Sequence, residues 1–320
     1  MTYEQAKAVI DSSLFSSFLE PEIDRCAYLT AWLSAQGIRY HTVTLQNKTH
    51  IIVTYRQSAY NPRFKMKNLI AHYDRDDHTP GANDNSAACI QLLLFAQALN
   101  RQPAAHNIRI IFTDGEEAGA DGIRNQGAYR LGQGLRSLSM QDDDLFVFDL
   151  CGAGDTLILS ESGIYGRDKK KTIKLAAFHR RCCTYADAAC RGRWRSLPTA
   201  YSDNAGFISA GLSAQVITVL PAAEATRLSR YLAAAPHKSG NSYKTASGAE
   251  QESGTDEQIV QQYIINNTKV PPDSPLAAAV PQTWQRMHSP SDSIETLTPS
   301  AFVLMDTMLH YLATVKELAI

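Results

Sequence analysis

Residues 107–117 read Asn-Ile-Arg-Ile-Ile-Phe-Thr-Asp-Gly-Glu-Glu, an apolar run that leads directly into three acidic side chains. The apolar part, residues 107–113, has the length and composition of a buried strand. Asp114, Glu116 and Glu117 would then follow the carboxyl end of that strand. Ligands of open α/β sheets bind beyond the carboxyl ends of the strands, so this stretch indicates both a fold class and the position of a site.

Strands and helices alternate on both sides of this stretch. Short apolar runs predict strands, and longer runs with apolar residues at helical spacing predict helices. The predicted strands are residues 38–45, 50–55, 68–72, 107–113, 145–150, 155–161 and 214–220, and the predicted helices lie within 3–36 and at 86–99, 117–135, 174–191 and 299–318. This alternation predicts the α/β class, as a three-layer sandwich with a mixed, largely parallel central sheet flanked by helices.

Length and composition favour one large domain. The chain has 320 residues, of which 44% are hydrophobic and 20% are charged, ordinary values for a globular protein. We predict a single domain over residues 1–320 with an insertion at about 221–285, where the alternation of strands and helices stops. This insertion contains a Ser-, Gly-, Thr- and Glu-rich stretch at 238–256, a possible helix at 256–266 and two prolines at 271–272.

Charge and hydropathy argue against several kinds of partner. The chain carries 31 basic and 32 acidic residues and a net charge of -1, so nothing in its charge favours nucleic acid or an anionic membrane. No run of eighteen apolar residues occurs, and we predict no membrane span. The N-terminus lacks the features of a secretory signal, unless one has been removed, and the six cysteines form no Cys-x-x-Cys pair. We therefore predict a cytoplasmic protein with free thiols.

Five short segments carry residue types that bind metals or transfer protons. They are Ala-His-Tyr-Asp at 71–74, Gly-Ala-Asn-Asp-Asn at 81–85, Phe-Thr-Asp-Gly-Glu-Glu at 112–117, Phe-Asp-Leu at 148–150 and Met-His-Ser-Pro-Ser-Asp at 287–292. Their two histidines and three carboxylates, namely His72, Asp84, Glu117, Asp149 and His288, suit two zinc ions with one bridging carboxylate. Glu116 is left over beside a ligand but on the opposite side of the chain, where a general base is needed.

The order of these motifs resembles that of the co-catalytic zinc aminopeptidases of the bacterial leucyl-aminopeptidase type, whose relatives include glutaminyl cyclases and glutamate carboxypeptidases. The matching elements are His-x-Asp, Gly-Ala-x-Asp-Asn, Gly-Glu-Glu, a strand-end Asp, Ser-Asp-x-x-x-Phe and His-Ser-Pro-x-Asp, within roughly residues 65–220 and 285–320. The resemblance implies the zinc exopeptidase fold and two Zn²⁺ ions per chain. It also implies that Asp84 bridges the metals, with His72 and Asp149 on one and Glu117 and His288 on the other.

The same resemblance implies supporting features around the ligands. Asp74 would orient the imidazole of His72 without binding a metal itself, and Asp292 would do the same for His288. Family members with the Gly-Ala-x-Asp-Asn motif carry a cis peptide after the bridging Asp. We therefore expect a cis bond between residues 84 and 85.

One further segment is expected near the substrate. Residues 202–207, Ser-Asp-Asn-Ala-Gly-Phe, match a family segment that usually has His in place of Asn204. In the family this segment lies near the substrate pocket. Tyr201 and Phe207 are therefore candidate walls of that pocket.

The implied reaction is hydrolysis of a peptide bond next to a free N-terminus. Glu116 would take a proton from water activated by zinc and pass it to the leaving amine. The substrate would be a peptide whose free α-amine is held by the other zinc and nearby carboxylates, which makes the enzyme an exopeptidase. Because both ends of the insertion lie at the expected rim of the site, it is either a lid that selects short peptides or a solvated excursion.

Three alternatives stay open. A glutaminyl cyclase-like acyltransferase has the same fold, but such relatives bind one zinc and would lack a full ligand set or alter the Gly-Ala-x-Asp-Asn segment. A catalytically silent binding domain, as in transferrin-receptor-like relatives, typically loses ligands, and none is lost here. A carboxypeptidase or a peptide deacylase would fit the same motifs. The oligomeric state and the preferred N-terminal residue are not encoded in any of these motifs.

Overall fold

A mixed eight-stranded sheet forms the centre of the described part of the protein, which in this computed structural model comprises residues 1–102, 104–164, 169–234 and 275–319. The strands are β1 Arg39–Leu45, β2 Lys48–Thr54, β3 Lys67–His72, β4 Ile108–Thr113, β5 Asp144–Phe148, β6 Thr156–Ser160, β7 Trp194–Leu197 and β8 Ala214–Leu220. Their order across the sheet is β1-β2-β4-β3-β5-β8-β6-β7. Strands β4, β3, β5 and β8 are parallel to one another, whereas β2 and β6 run antiparallel to their neighbours β4 and β8.

Helices cover both faces of this sheet. They are α1 Tyr3–Ile10, α2 Ser13–Phe18, α3 Arg25–Ala35, α4 Ala87–Arg101, α5 Gly127–Ser137, α6 Lys169–Ala189, α7 Asp203–Ser209, α8 Ala222–Ala234, α9 Pro275–Ala279, α10 Gln282–Gln285 and α11 Pro299–Thr314. Helices α4, α6 and α11 pack on one face, and α5 and α7 pack on the other. The predicted α/β sandwich with a mixed, largely parallel sheet is confirmed.

Alternation along the central strands builds the two hydrophobic layers. Side chains of successive strand residues point to opposite faces, so neighbouring positions enter different cores. Leu69 and Phe112 lie in the core that α4 and α11 cover. Ile70 and Ile111 lie in the core that α5 and α7 cover. Because both faces are buried, the strands read as continuous apolar runs.

Most predicted elements are found within a few residues of their expected positions. The stretch 117–135 differs, because two short 3₁₀ turns, Glu117–Asp121 and Ile123–Asn125, precede helix α5. Gly122, with φ of 123°, separates the two turns and prevents one continuous helix. The final helix ends at Thr314 rather than at residue 318.

The predicted insertion begins and ends with helices in the described residues. Leu228 of α8, Leu276 of α9 and Trp284 of α10 pack together against the sheet residue Ile158. The Ser- and Gly-rich stretch at 238–256, the possible helix at 256–266 and the proline pair lie outside the described residues. Among the helices described, none has the length and apolar composition required to cross a membrane.

Candidate metal centre

Three adjacent strands deliver the central residues of the site to one edge of the sheet. In the parallel pair β3–β4, His72 lies opposite Thr113, so His72 lies beside the start of the loop that carries Glu116 and Glu117. Strand β5, on the other side of β3, ends at Phe148, one residue before Asp149. Parallel strands place their carboxyl ends at a common edge, which explains why motifs far apart in sequence meet here.

The five candidate ligands converge, and Asp84 lies between the two histidines. Oδ1 of Asp84 lies 3.4 Å from Nε2 of His72, and its Oδ2 lies 3.4 Å from Nε2 of His288. Asp149 Oδ1 completes the first group at 3.6 Å from His72 Nε2, and Glu117 Oε2 completes the second at 3.0 Å from His288 Nε2. Each group of three thus brings one nitrogen and two oxygen donors together.

The donor atoms fit zinc in both chemistry and hydrogen bonding. His72 Nε2, Glu117 Oε1 and Asp149 Oδ1 are buried and have no hydrogen-bond partner among the described residues. Leaving such groups unpaired costs roughly 1–3 kcal/mol each, so native proteins rarely keep several together without a ligand. Imidazole nitrogens with carboxylate oxygens are a typical zinc donor set. The residues present therefore fit a zinc-binding site.

Asp74 supports two parts of this site at once. Its Oδ1 lies 3.6 Å from His72 Nδ1, and its backbone oxygen lies 3.3 Å from the same nitrogen. The carboxylate also accepts hydrogen bonds from the backbone N–H groups of Glu116 at 3.1 Å and Glu117 at 3.0 Å. Asp74 therefore connects the imidazole of His72 to the loop that carries the two glutamates.

Glu116 lies beside the candidate ligands and has a different environment from Glu117. Its Oε1 accepts a hydrogen bond from Gln126 Nε2 at 2.9 Å. Desolvation, with the nearby carboxylates opposing the effect of His72, raises the pKa of Glu116 well above its ordinary value. A carboxylate with high proton affinity next to a metal site suits a residue that takes up and releases a proton.

The peptide bond between Asp84 and Asn85 is cis, as expected from the motif. The Asn85 side chain donates a hydrogen bond to the Phe148 carbonyl at 2.8 Å, which ties this segment to the end of β5. The segment is also held by the neighbouring Asn83, whose Oδ1 accepts from the Gly152 N–H at 2.7 Å. Asp84 is therefore presented to the site by a firmly hydrogen-bonded turn.

Residues 50–219 match the sequence model of Peptidase family M28. The chain belongs to this family. Membership supports a zinc-dependent peptidase hydrolase as the general function. No curated protein matches the sequence significantly.

Solved structures show the same fold at low sequence identity. The LapA aminopeptidase of Legionella pneumophila is 12% identical, with a TM-score of 0.61 over 99% of this chain and 73% of LapA. A Zn-dependent exopeptidase of Parabacteroides distasonis is 14% identical, with a TM-score of 0.56 over 98% of both chains. A glutaminyl cyclase of Tannerella forsythia is 16% identical, with a TM-score of 0.58 over 98% of this chain and 99% of the cyclase. At these identities the likeness establishes the zinc exopeptidase fold of the M28 chain and nothing finer.

A cavity of about 490 Å³ opens beside the candidate metal centre of this M28 protein. Its lining includes Asp84, Glu116, Glu117, Asp149 and His288 together with Leu150, Thr199, Ala200, Tyr201, Ala205, Val216, Thr218, Trp284 and Met287. Tyr201, a candidate pocket wall in the sequence, is one of these lining residues. Met287 immediately precedes His288, so its position could be predicted from the sequence, whereas Trp284, Thr199 and Thr218 belong to no motif.

Phe207 does not line this cavity. Its side chain is fully buried and packs in the core beneath α5 with Ala128 and Leu131. A Cβ atom on Gly132 would come within 3.2 Å of the Phe207 ring, so the glycine leaves the room in which this ring packs. The short helix α7 directs Phe207 away from the site, and the sequence expectation was wrong on this point.

Asp292 also occupies a different place from the one expected. Its two carboxylate oxygens accept hydrogen bonds from the backbone N–H groups of Asn83 at 2.9 Å and Asp84 at 3.0 Å. Among the described residues, the carboxylate partners of His288 are Asp84 and Glu117 instead. A turn closed by the hydrogen bond from the Asp292 N–H to the Ser289 carbonyl directs the Asp292 side chain toward residue 83.

Proposed function

We propose that this M28 family member is an aminopeptidase that binds two Zn²⁺ ions and removes residues from the free N-terminus of peptides, with Glu116 as general base. The observation that carries the proposal is the position of Asp84, whose two oxygens face two separate histidine-and-carboxylate groups. Glu116 stands beside both groups and keeps one oxygen without a hydrogen-bond donor among the described residues.

His72, Asp84 and Asp149 would hold one metal, and Asp84, Glu117 and His288 would hold the other. When bound, zinc supplies a Lewis acid that polarises the scissile carbonyl and lowers the pKa of water. Asp74 keeps the His72 ring and the backbone of Glu117 in a fixed relation through its own contacts. Contacts of this kind orient a metal ligand and strengthen its affinity for the metal.

The proton moves through Glu116. Its carboxylate takes a proton from the attacking water and then gives that proton to the nitrogen of the leaving amine as the C–N bond breaks. The raised pKa of Glu116 suits both directions of transfer. The Gln126 N–H holds Oε1, and the second oxygen is left for the proton.

The cavity suits the first residue of a peptide. The candidate zinc ligands Glu117 and Asp149 line the cavity together with the uncharged residues Leu150, Val216 and Trp284. An uncharged lining of this kind suits an uncharged side chain on the first residue of a peptide.

The proposal also includes the cellular compartment and the binding partner. We propose a cytoplasmic enzyme, supported by the six unpaired cysteines Cys26, Cys89, Cys151, Cys182, Cys183 and Cys190. The near-neutral charge supports a small peptide as the partner rather than nucleic acid or a membrane surface.

Hydrolysis of a panel of aminoacyl-arylamides tests the proposal. The expected result is release of the arylamine, loss of activity with a chelator and recovery on adding Zn²⁺. The panel includes a glutaminyl substrate, from which an aminopeptidase releases free glutamine and the arylamine, whereas a glutaminyl cyclase releases ammonia and leaves a pyroglutamyl-arylamide. Peptides with a blocked N-terminus form the control, since a carboxypeptidase or deacylase would cleave them and an aminopeptidase would not.

A further inference from the structure

Gln126 makes hydrogen bonds with every polar atom of its side chain. It lies between the second 3₁₀ turn and α5 and is 4% exposed. Its Nε2 donates to Glu116 Oε1 at 2.9 Å and to the Ser202 carbonyl at 3.4 Å, and its Oε1 accepts from the Gly206 N–H at 2.9 Å. Both amide hydrogens and the amide oxygen are therefore used.

These partners fix the orientation of the amide. A flipped side chain would place its oxygen against the Glu116 carboxylate and the Ser202 carbonyl, and its NH₂ group against the Gly206 N–H. Every one of those contacts would be repulsive, so only one orientation is compatible with the surroundings. Gln126 thus presents a donor, and not an acceptor, to Glu116.

Packing restricts the same side chain from two sides. A Cβ atom at Gly119 would lie 2.9 Å from both Cγ and Nε2 of Gln126. A Cβ atom at Gly206 would lie 2.9 Å from its Oε1. Backbone at two glycines therefore encloses the amide, and little rotamer freedom is left to it.

We propose that Gln126 is a positioning residue that sets the place of the Glu116 carboxylate relative to the wall of the substrate cavity. Ser202 and Gly206 directly follow Tyr201 and Ala205 in the sequence, and both of the latter line the cavity. Gln126 bonds this segment and Glu116 through one rigid amide. The carboxylate is thereby fixed by the same structure that surrounds the substrate, and its free oxygen stays aligned with the bond to be cut.

This inference rests on the proposed role of Glu116. Two kinds of measurement distinguish a failure of the positioning role from a failure of the proposed function. The first is kinetic and uses Gln126→Met, which keeps the length of the side chain and removes its hydrogen bonds. Gln126 itself lines the cavity but is only 4% exposed, so few substrate contacts are lost with it. We expect kcat to fall by about 10-fold or more with KM changed less than about twofold, because alignment of the base is lost. Gln133→Met, an exposed glutamine on α5, is the control and should leave both constants unchanged.

A double mutant asks whether the effect passes through Glu116. In a Glu116→Gln background, Gln126→Met should cost nothing further, because the residue that it positions is already inactive. Additive losses in kcat, or a rise in KM with kcat unchanged, would show that Gln126 supports the cavity wall alone and would overturn the inference. Gln126→Asn, which keeps the amide but is one methylene shorter and spans fewer partners, replaces Gln126→Met if that variant does not fold.

The second measurement does not depend on activity. In crystal structures of the zinc-loaded wild type and Gln126→Met, the Glu116 carboxylate should occupy one position in the wild type and move or split in the variant. An unmoved carboxylate would overturn the inference whether or not the wild type cleaves any substrate. Absence of hydrolysis by the wild type, together with a displaced carboxylate in the variant, would instead refute the aminopeptidase function and retain the positioning role.

Discussion

Asp292 accepts a hydrogen bond from the backbone N–H of Asp84 at 3.0 Å, across 208 residues of sequence. The other oxygen of the same carboxylate accepts from the N–H of Asn83. Asp84 is the residue placed between the two candidate metal groups, so Asp292 determines where its backbone lies. The support of the metal centre therefore includes a residue that touches none of the metal-binding atoms.

We expect Asp292→Ala to weaken zinc binding and the fold together. Loss of an outer-shell partner typically lowers metal affinity about 10–100-fold. Two buried N–H groups left without an acceptor should lower the free energy of unfolding by roughly 1–3 kcal/mol each. Chelator competition measures the zinc affinity, and thermal unfolding measures the stability.

Asp155→Ala is the matched control for this prediction. Asp155 Oδ1 likewise accepts a hydrogen bond from a backbone N–H, that of Ala222 at 2.8 Å. This variant should lose some stability and retain zinc affinity. Equal losses of zinc in both variants would mean that Asp292 acts only through general stability.

Glu116→Gln should keep its zinc and lose turnover. The amide preserves the shape of the side chain but cannot take a proton, and general bases contribute on the order of 10²–10⁴-fold to rate. Zinc content by elemental analysis and kcat on the best arylamide give the two readouts. Glu295→Gln, an exposed glutamate in the segment before α11, serves as the control. Near-normal turnover by Glu116→Gln would remove this residue from the mechanism.

His106 should make the protein lose stability at acid pH. Burial, with Lys316 and Lys67 nearby, lowers the pKa of His106 to about 4, whereas an unfolded histidine has a pKa of about 6.5. Between these values the unfolded chain binds the proton and the folded chain does not. The free energy of unfolding should therefore fall as pH decreases from about 6.5 to 4, by at most about 1.4 kcal/mol per pH unit from this residue.

Comparison with His106→Asn isolates this contribution. His106 Nδ1 accepts from the Ile108 N–H at 3.0 Å, and an asparagine oxygen can accept in the same two-residue relation without titrating. Denaturant unfolding at several pH values should give a shallower acid slope for the variant than for the wild type. His41→Asn, at an exposed position, should leave the slope unchanged. Identical slopes in all three proteins would contradict the prediction.

Shortening the insertion tests whether it restricts access to the cavity. The described ends of the insertion must be kept, because Leu228, Leu276 and Trp284 pack together and Trp284 lines the cavity. We therefore replace residues 238–272 with a short Gly/Ser linker. If the segment acts as a lid, the variant gains rate on a decapeptide relative to a dipeptide. Equal relative rates on the two peptides would leave the insertion without this role.

The strand-end motifs were predictable because they depend on backbone topology. His72 ends a strand that the apolar pattern identifies, and Glu116, Glu117 and Asp149 follow the ends of two others. Parallel pairing brings such positions to one edge of the sheet. The two wrong predictions each depended on the direction of a single side chain. Phe207 was placed on the cavity and Asp292 on His288, yet packing against α5 and a local turn direct them elsewhere.

Gln126 shows a second limit of prediction from the sequence. A glutamine after two 3₁₀ turns belongs to no motif, and nothing in its neighbours indicates a partner. Its three hydrogen bonds reach Glu116, Ser202 and Gly206, and the last two come within range only through the docking of α7 on α5. Tertiary contacts of this kind leave no periodic signal in the chain.

The separation of Asp84 and Asp292 in the sequence determines the order in which the parts of the site are synthesised. A ribosome delivers the chain from its N-terminus, so the turn that presents Asp84 is made long before the carboxylate that holds it. Until residues 288–292 have left the ribosome, the nascent chain lacks both the candidate metal ligand His288 and the carboxylate of Asp292 that accepts the hydrogen bond from Asp84. A nascent chain therefore cannot complete the candidate metal centre before this late segment has emerged.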